Sequence, residues 1–281
     1  MQERRIAQTS LSAMTFNVRY DEPADGAQAW PHRRELAIAT IRDRDPDLVG
    51  LQEPNASQFD DIAAGLPQYT AFGLFVDEWG GVEPHGGFFR TERFELRSSG
   101  LFWLSETPDI AHSVSWSNDW GPRACGWVRL RDRLHDRELV FASTHVDTNP
   151  GSWLPSAQVL HRELALVAEG RAVVLVGDFN CAAGADAHRY LLSERYRDAW
   201  LEAGRVDAGE VTYHEFTGAV RLTDAVVFPS AAFAHRNYRI DWILLHGDLS
   251  CSAAEIDIRR GDGVMPSDHY PVIATLQWRA A

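Results

Sequence analysis

Short apolar runs of strand length recur along the chain: LSAMTFNV, PDLVGLQE, QYTAFGLF, GGFFR, FELRSSGLFWL, ACGWVRLR, RELVFASTH, AVVLVGDFN, YRIDWILLH, SAAEIDIRR and YPVIATLQW. They are rich in β-branched and aromatic residues and bounded by Gly, Pro, Asn, Asp and Ser, which is the pattern of strands and turns. A few stretches between them have the helical period instead. Asn55, followed three residues later by Gln58, has the form of a capping box, and Phe59, Ile62, Ala63 and Leu66 then share one face. A second helix is predicted after Pro31, and a third from about Pro155, with Leu160, Leu164 and Val167 inward and a stop at Gly170. About ten strands exceed what one twisted sheet usually holds, so two packed sheets with helices over their faces are expected. No repeat, linker or low-complexity tract divides the sequence, and residues 1–281 read as one mixed α/β domain.

The way these runs end carries the chemistry. MTF leads to Asn17, LVGLQ to Glu53, LVFAST to His145, and VVLVG to Asp178 and Asn180. Asp241 opens the apolar run in RIDWILL, while Asp268 and His269 precede the last one in SDHYPV. Singly, such a group is a solvated strand end or an Asx turn. Four matching ends are different, because strands that stop at one edge of a sheet bring their end groups together. Asp178 and Asn180, two apart, would face one side and Phe179 the other, while Gly177 would let the backbone pass close to a substrate.

Carboxylates with a carboxamide oxygen and no paired thiols form a hard donor set, suited to Mg2+ or Mn2+ rather than structural zinc. Two histidines in such a cluster suit proton transfer or hydrogen bonding to an oxyanion, each needing an orienting carboxylate. Arg123, in the irregular DWGPRACGW, offers a forked donor for a phosphate. Together they point to hydrolysis of a phosphate ester.

Composition narrows the substrate. The formal charge is -13, and all 27 basic residues are arginine. The absence of lysine excludes Schiff-base and P-loop lysine chemistry. An acidic surface opposes binding along a phosphate polyanion, which favours a small phosphorylated substrate over nucleic acid. Cys125, Cys181 and Cys251 are far apart, so neither a disulfide framework nor a zinc knuckle is indicated. No apolar run is long enough to span a membrane, and MQERRIAQTS is not followed by the apolar segment of an export signal, so a cytoplasmic location is expected. There is no HxHxDH, HExxH or GxSxG, which argues against dinuclear zinc, zincin and serine-hydrolase chemistry. Trp30, Trp79, Trp116, Trp120 and Trp153 fall in or beside irregular stretches, where they serve either to stack on a ring or to anchor packing.

The segments TFNVR, LQE, FWLSETP, PRACGW, STHVD, LVGDFN, RIDWI and SDHYPV occur in the order found in the metal-dependent endonuclease/exonuclease/phosphatase superfamily, which includes pancreatic deoxyribonuclease. The chain resembles that family over essentially its whole length, and FWLSETP with STHVD is most similar to a bacterial subgroup of metal-dependent hydrolases. The resemblance implies a deoxyribonuclease-like four-layer α/β sandwich, with two mostly antiparallel sheets face to face and helices outside. It implies that Asn17 and Glu53 ligate the divalent cation, Mg2+ or Mn2+, with Asp268 adding a carboxylate. Asp178 would orient or deprotonate the attacking water and Asn180 would hold the nucleophile or phosphate. His269, paired with Asp241, would contact a phosphate oxygen. His145, oriented by Glu83, would be the general acid, and Arg123 would contact the phosphate.

One departure is VEPHGGFFR, where His85 and a glycine pair replace the family's small residue and apolar-aromatic strand, leaving the register of Glu83 open. His85 itself reads as a solvated or structural residue. The activity expected is that of a metal-dependent phosphoesterase acting on a sugar phosphate, nucleotide, inositol phosphate or lipid headgroup. A nuclease is the alternative within the same chemistry. A third reading, an inactive binding module, predicts that a metal or histidine position is replaced, and none is.

Overall fold

A computed structural model describes residues 9–76, 82–221 and 238–280. The apolar runs become β1 (Leu11–Asn17), β2 (Leu48–Gln52), β3 (Tyr69–Val76), β4 (Val82–Arg90), β5 (Phe94–Trp103) and β6 (Ala124–Asp132). They continue with β7 (Arg137–His145), β8 (Ala172–Asp178), β9 (Arg197–Asp198), β10 (Asp241–His246), β11 (Leu249–Ile256) and β12 (Val272–Trp278). These strands make two six-stranded sheets, ordered β11-β12-β1-β2-β4-β3 and β5-β6-β7-β8-β10-β9. Pairing is antiparallel except between β1 and β2 and between β7 and β8.

Side-chain alternation along the strands sorts the apolar residues into layers. In the first sheet Leu11 and Ala13 face the second sheet, and they share one core with Phe141, Val174, Val176 and Ile243. Met14 and Phe16 face the other way, beneath α1 (Trp30–Arg44) and α2 (Ala56–Gly65), where Ile38, Ile41, Phe59 and Ile62 meet them. On the far side, α3 (Pro150–Ala168) and α4 (Asp186–Ser193) cover Val140, Val173 and Leu175 with Leu160, Leu164 and Leu191. Each such fully buried aliphatic or aromatic side chain contributes about 1.5–3 kcal/mol. The result is the expected four-layer sandwich.

The capping box at α2 is formed, with the Asn55 side chain accepting from the Gln58 N–H and the Gln58 side chain accepting from the Asn55 N–H. Three predicted boundaries differ. The third helix starts at Pro150 rather than Pro155, because Asn149 accepts from the Gly151 N–H as N-cap and Pro150 occupies the first turn. β4 reaches back to Val82, so Glu83 and His85 lie on a strand. DEPADGAQAW, for which the sequence predicts only an irregular loop, contains a 3-10 helix, Pro23–Gln28. β9, α4 and the four-residue α5 (Ala199–Glu202) had no counterpart in the sequence reading.

The glycine pair after His85 has a steric cause: a Cβ at Gly87 would collide with the carbonyl oxygen of Val49 on β2. Trp79, and the parts of the irregular stretches at 77–81 and 222–237, lie outside the described residues. No helix among the described residues is long and apolar enough to cross a membrane.

Candidate active site

Strand parity places the site residues. Asn17 continues the inward row of Leu11, Ala13 and Thr15; His145 continues that of Leu139, Phe141 and Ser143; Asp178 continues that of Ala172, Val174 and Val176. Asp241 heads the inward row of Ile243 and Leu245. Because His145 pairs with Asp178 across parallel strands, and Asp178 with Asp241 across antiparallel ones, three neighbouring strands set an imidazole and two carboxylates side by side. The first sheet brings Asn17 and, one residue past β2, Glu53. Phe179 turns outward and stacks on Trp242 with centroids 4.2 Å apart. Gly177 serves packing rather than substrate approach, since a Cβ there would strike the carbonyl oxygen of Thr144.

The two sheets are joined directly below the site. Gln52 Nε2 donates to Ser143 Oγ (3.0 Å), and Ser143 Oγ donates to the Leu51 carbonyl (3.2 Å). Above this seam, Asn17 Nδ2 lies between Glu53 Oε1 (2.9 Å) and Asp178 Oδ2 (3.0 Å). The Asn180 N–H donates to Asp178 Oδ1 (2.8 Å), and its Nδ2 donates to the Val146 carbonyl (2.8 Å). Ser267 Oγ donates to the Asn17 carbonyl (2.7 Å), pinning the segment before β12 to the end of β1. His269 Nδ1 then donates to Asp241 Oδ2 (2.9 Å), with Nε2 3.6 Å from Asp178 Oδ2. Glu53 and Asn180 hold left-handed backbone (φ 68° and 51°), the former rare for a glutamate and of a kind that clusters at functional sites.

Burial and like charge set the protonation states. Burial, reinforced by Asp241, pushes the Asp178 carboxyl up to about 7 against the opposing pull of His269. Burial alone would lower His269, but the Asp241 and Asp178 carboxylates outweigh it and raise the imidazole to about 10. Burial also raises Asp268. Asp241 Oδ1 is buried with no hydrogen-bond partner, so this carboxylate is held in an unfavourable place, facing His269.

Arg123 reaches His145 Nδ1 through Nη1 (3.1 Å). A guanidinium can only donate, so Nδ1 accepts, while Nε2 lies 2.9 Å from the Asn180 amide nitrogen and 3.4 Å from Asp178 Oδ2. Glu83 does not take the place expected for it. Its Oε2 faces His112 Nε2 (3.0 Å) and His85 Nε2 (3.3 Å), and both rings pack edge-on against Trp103. The cause is a register slip between β3 and β4 at Phe72/Leu74, opposite His85, which carries Glu83 toward His112. His85 is accordingly the structural residue of the two readings, a half-buried partner of Glu83, with burial lowering its pKa.

Two groups of side chains offer ligand atoms within 4.8 Å of one another: Glu53, His145 and Asp178, and Asp178, Asp241 and His269. The first is the better cation cradle, since His269 is held protonated by Asp241. Asn17 fits it too. Its amide nitrogen sits between the two carboxylates, and its oxygen, which accepts from the Arg19 N–H (2.9 Å), keeps a second lone pair as a hard donor. Asp268 belongs to neither group and lies on the Arg19 side, 3.9 Å from Arg19 Nε.

A cavity of about 190 Å³ opens over these groups, lined also by Arg19, Tyr20, Trp120, Thr148 and Tyr213. Sequence reasoning missed Arg19 and both tyrosines. It also missed Asp147, whose buried carboxylate accepts from the N–H groups of Asp119, Trp120 and Asn149 and meets Arg123 Nε at 3.4 Å. The available signal was its place in STHVD, two residues beyond His145.

A family model described as the endonuclease/exonuclease/phosphatase family matches residues 14–269. The chain belongs to this family. Among solved structures, an endonuclease/exonuclease/phosphatase from Bacteroides vulgatus is 28% identical, with a TM-score of 0.82 over 96% of this chain and 100% of that one. A mannosyl-6-phosphatase from Bacteroides thetaiotaomicron is 24% identical, with a TM-score of 0.83 over 96% and 100% of the two chains. Nocturnin of Drosophila melanogaster is 22% identical over 196 residues, which are 63% of this chain and 28% of the length of that relative. Endonuclease/exonuclease/phosphatase proteins are hydrolases of phosphate esters, and this member has their two-sheet sandwich and a group of acidic and histidine side chains able to hold a metal.

Proposed function

We propose that the protein is a divalent-metal-dependent phosphoesterase that hydrolyses an ester of a small phosphorylated compound by in-line attack of an activated water. The observation that carries this reading is the convergence on one small cavity of Asp178 and His269, with Asp178 Oδ2 3.6 Å from His269 Nε2, beside Asn180, His145, Arg123 and Glu53. Near neutral pH such a pair supplies a proton acceptor and a cationic donor together. Asn17 and Glu53 would hold Mg2+ or Mn2+, with Asp268 adding negative charge beside them, and the ion when bound supplies charge neutralisation at a phosphoryl oxygen.

The chain's own residues do the rest. Asp178 takes the proton of the attacking water. Asn180, His269 and Arg123 donate to the phosphoryl oxygens, and each bond strengthens as charge accumulates there. His145, set between Arg123 and Asn180, serves as the general acid toward the leaving oxygen. The direct attack needs no covalent intermediate on the enzyme. The charge of -13 and the cavity of about 190 Å³ support a small substrate over a nucleic acid. All three cysteines are buried free thiols, which supports a cytoplasmic location.

The test is turnover of p-nitrophenyl phosphate and bis-p-nitrophenyl phosphate with Mg2+ or Mn2+, before and after chelation. Monoester hydrolysis that EDTA abolishes and Mg2+ restores is the expected result. Cleavage of the diester alone would favour a nuclease, and failure on both would remove the enzyme reading.

A pH profile tests the role of His269. Its charged form persists below about 10 and is lost as the pH rises through that value, so kcat/KM should fall on the alkaline side. Asp241→Asn removes the main carboxylate holding that proton, and the alkaline limb should move down by about 1–3 pH units. A limb that stays in place would show that another group controls it.

A further inference from the structure

Trp120 combines exposure of its side chain with firm anchoring of its backbone. The indole is 63% exposed at the mouth of the cavity. Its backbone N–H donates to Asp147 Oδ2 (3.1 Å) and Asn118 Oδ1 (2.9 Å), and the N–H of Asp119 donates to Asp147 Oδ1 (2.8 Å). The Asp119 carboxylate accepts in turn from Thr148 Oγ1 (3.2 Å) and Asn149 Nδ2 (3.0 Å), which ties the loop to the start of α3. Asp147, 1% exposed, is thus a buried charge that fixes both this loop and Arg123.

Packing accounts for the neighbouring tryptophans. Trp30 is buried with Nε1 on Asp61, Trp153 donates Nε1 to the Asp147 carbonyl, and Trp116 packs on the core beneath α3. It does not account for a large apolar ring displayed to solvent on a rigid mount. A fixed aromatic face beside a phosphate site is a stacking platform.

Size and charge say what stacks there. Trp120 lines the cavity of about 190 Å³ and not the adjoining one of about 330 Å³ that shares Glu53, Arg123 and His145, so the space beside the indole matches a single ring. The cations on its wall are Arg123, Arg19 and His269, and Arg19 is already gripped by Asp25 through two bonds of 3.0 and 3.1 Å. Set against Glu53, Asp178, Asp241 and Asp268, these cations can accommodate one phosphoryl group, not several. The remaining carboxylate oxygens and the Thr148 hydroxyl are acceptors, which suits a ring bearing hydroxyl donors around its edge and an apolar C–H face.

We propose that Trp120 is a specificity-determining residue, a platform held by Asp147 on which the ring of a hexose monophosphate stacks while its phosphoryl group meets Arg123, Asn180 and His269. This assignment rests on the phosphoesterase reading above and narrows its substrate class.

The test compares kcat/KM for mannose 6-phosphate, glucose 6-phosphate, acyclic glycerol 3-phosphate, AMP and p-nitrophenyl phosphate, with Mg2+, in the wild type, Trp120→Ala and Trp120→Phe. The wild type should prefer a hexose 6-phosphate to glycerol 3-phosphate. Trp120→Ala should reduce that preference about tenfold, mainly through KM, and Trp120→Phe should retain most of it. Equal losses on ring and acyclic substrates would overturn the platform, as would p-nitrophenyl phosphate turnover with no hexose phosphate accepted; both outcomes leave the phosphoesterase reading standing. Preference for AMP over the hexose phosphates would overturn the sugar assignment. Failure to hydrolyse any of the five monoesters would overturn the underlying reading and this inference with it.

Discussion

Replacing Asp178 with asparagine should lower kcat by roughly 10²–10⁴-fold, the range that general-base groups contribute, without lowering the melting temperature at pH 8. The two halves of this expectation have one cause. Asp178 is 1% exposed, and burial beside Asp241 raises its carboxyl from 3.8 to about 7. The folded state therefore binds that proton more tightly than the unfolded state does. Ionised Asp178 costs stability, fully so above about pH 7, and the cost is relieved as the pH falls toward 4. Asparagine removes that charge at the cost of one accepted hydrogen bond, from the Asn17 amide or the Asn180 N–H, so in chelator at pH 8 the variant should melt near the wild-type temperature and compare less well as the pH falls toward 4. A near-normal rate would refute the role assigned to Asp178. A clear fall in melting temperature at pH 8 would show that the carboxylate supports the fold instead of straining it.

The second large effect concerns Glu53→Gln, for which the Mg2+ concentration giving half-maximal activity should rise at least 10- to 100-fold, a loss seen even for groups that only support a ligand. Glutamine keeps an oxygen for one of the two donors that glutamate now serves with separate oxygens, the Asn17 amide (2.9 Å) and the exposed Tyr20 N–H (3.2 Å), and water can take the other, so the fold should persist. What disappears is the negative charge that a hard cation requires. Direct calorimetric titration of Mg2+ gives a reading independent of turnover. Unchanged metal affinity would exclude Glu53 as a ligand.

The strands and the polar groups at their ends were legible because the alternation of side chains is written locally, residue by residue. Asn17, His145, Asp178 and Asp241 each sit in phase with an inward apolar row, so the same parity that buries Ala13 or Val176 aims the chemistry. What escaped was decided by tertiary context. β9 is two residues long and has no period to detect. The partner of Glu83 was set by a register slip between two strands, which no feature of VEPHGGFFR alone reveals. Trp30 and Trp120 look alike in sequence, and their opposite exposures follow from what α1 and the Asp147 carboxylate do with the backbone around them. The depth of Asp178 was likewise invisible, since a strand-end aspartate is ordinarily solvated.

The pairing of β12 with β1 has a consequence for biosynthesis. Asp178 and Asp241 belong to one sheet, but the segment carrying His269 is drawn into place by a strand that adds to the other, beside β1. A chain leaving the ribosome would complete most of both sheets while its two buried carboxylates still lacked their imidazolium. On the proposed mechanism the site would stay incomplete until β12 had paired with β1.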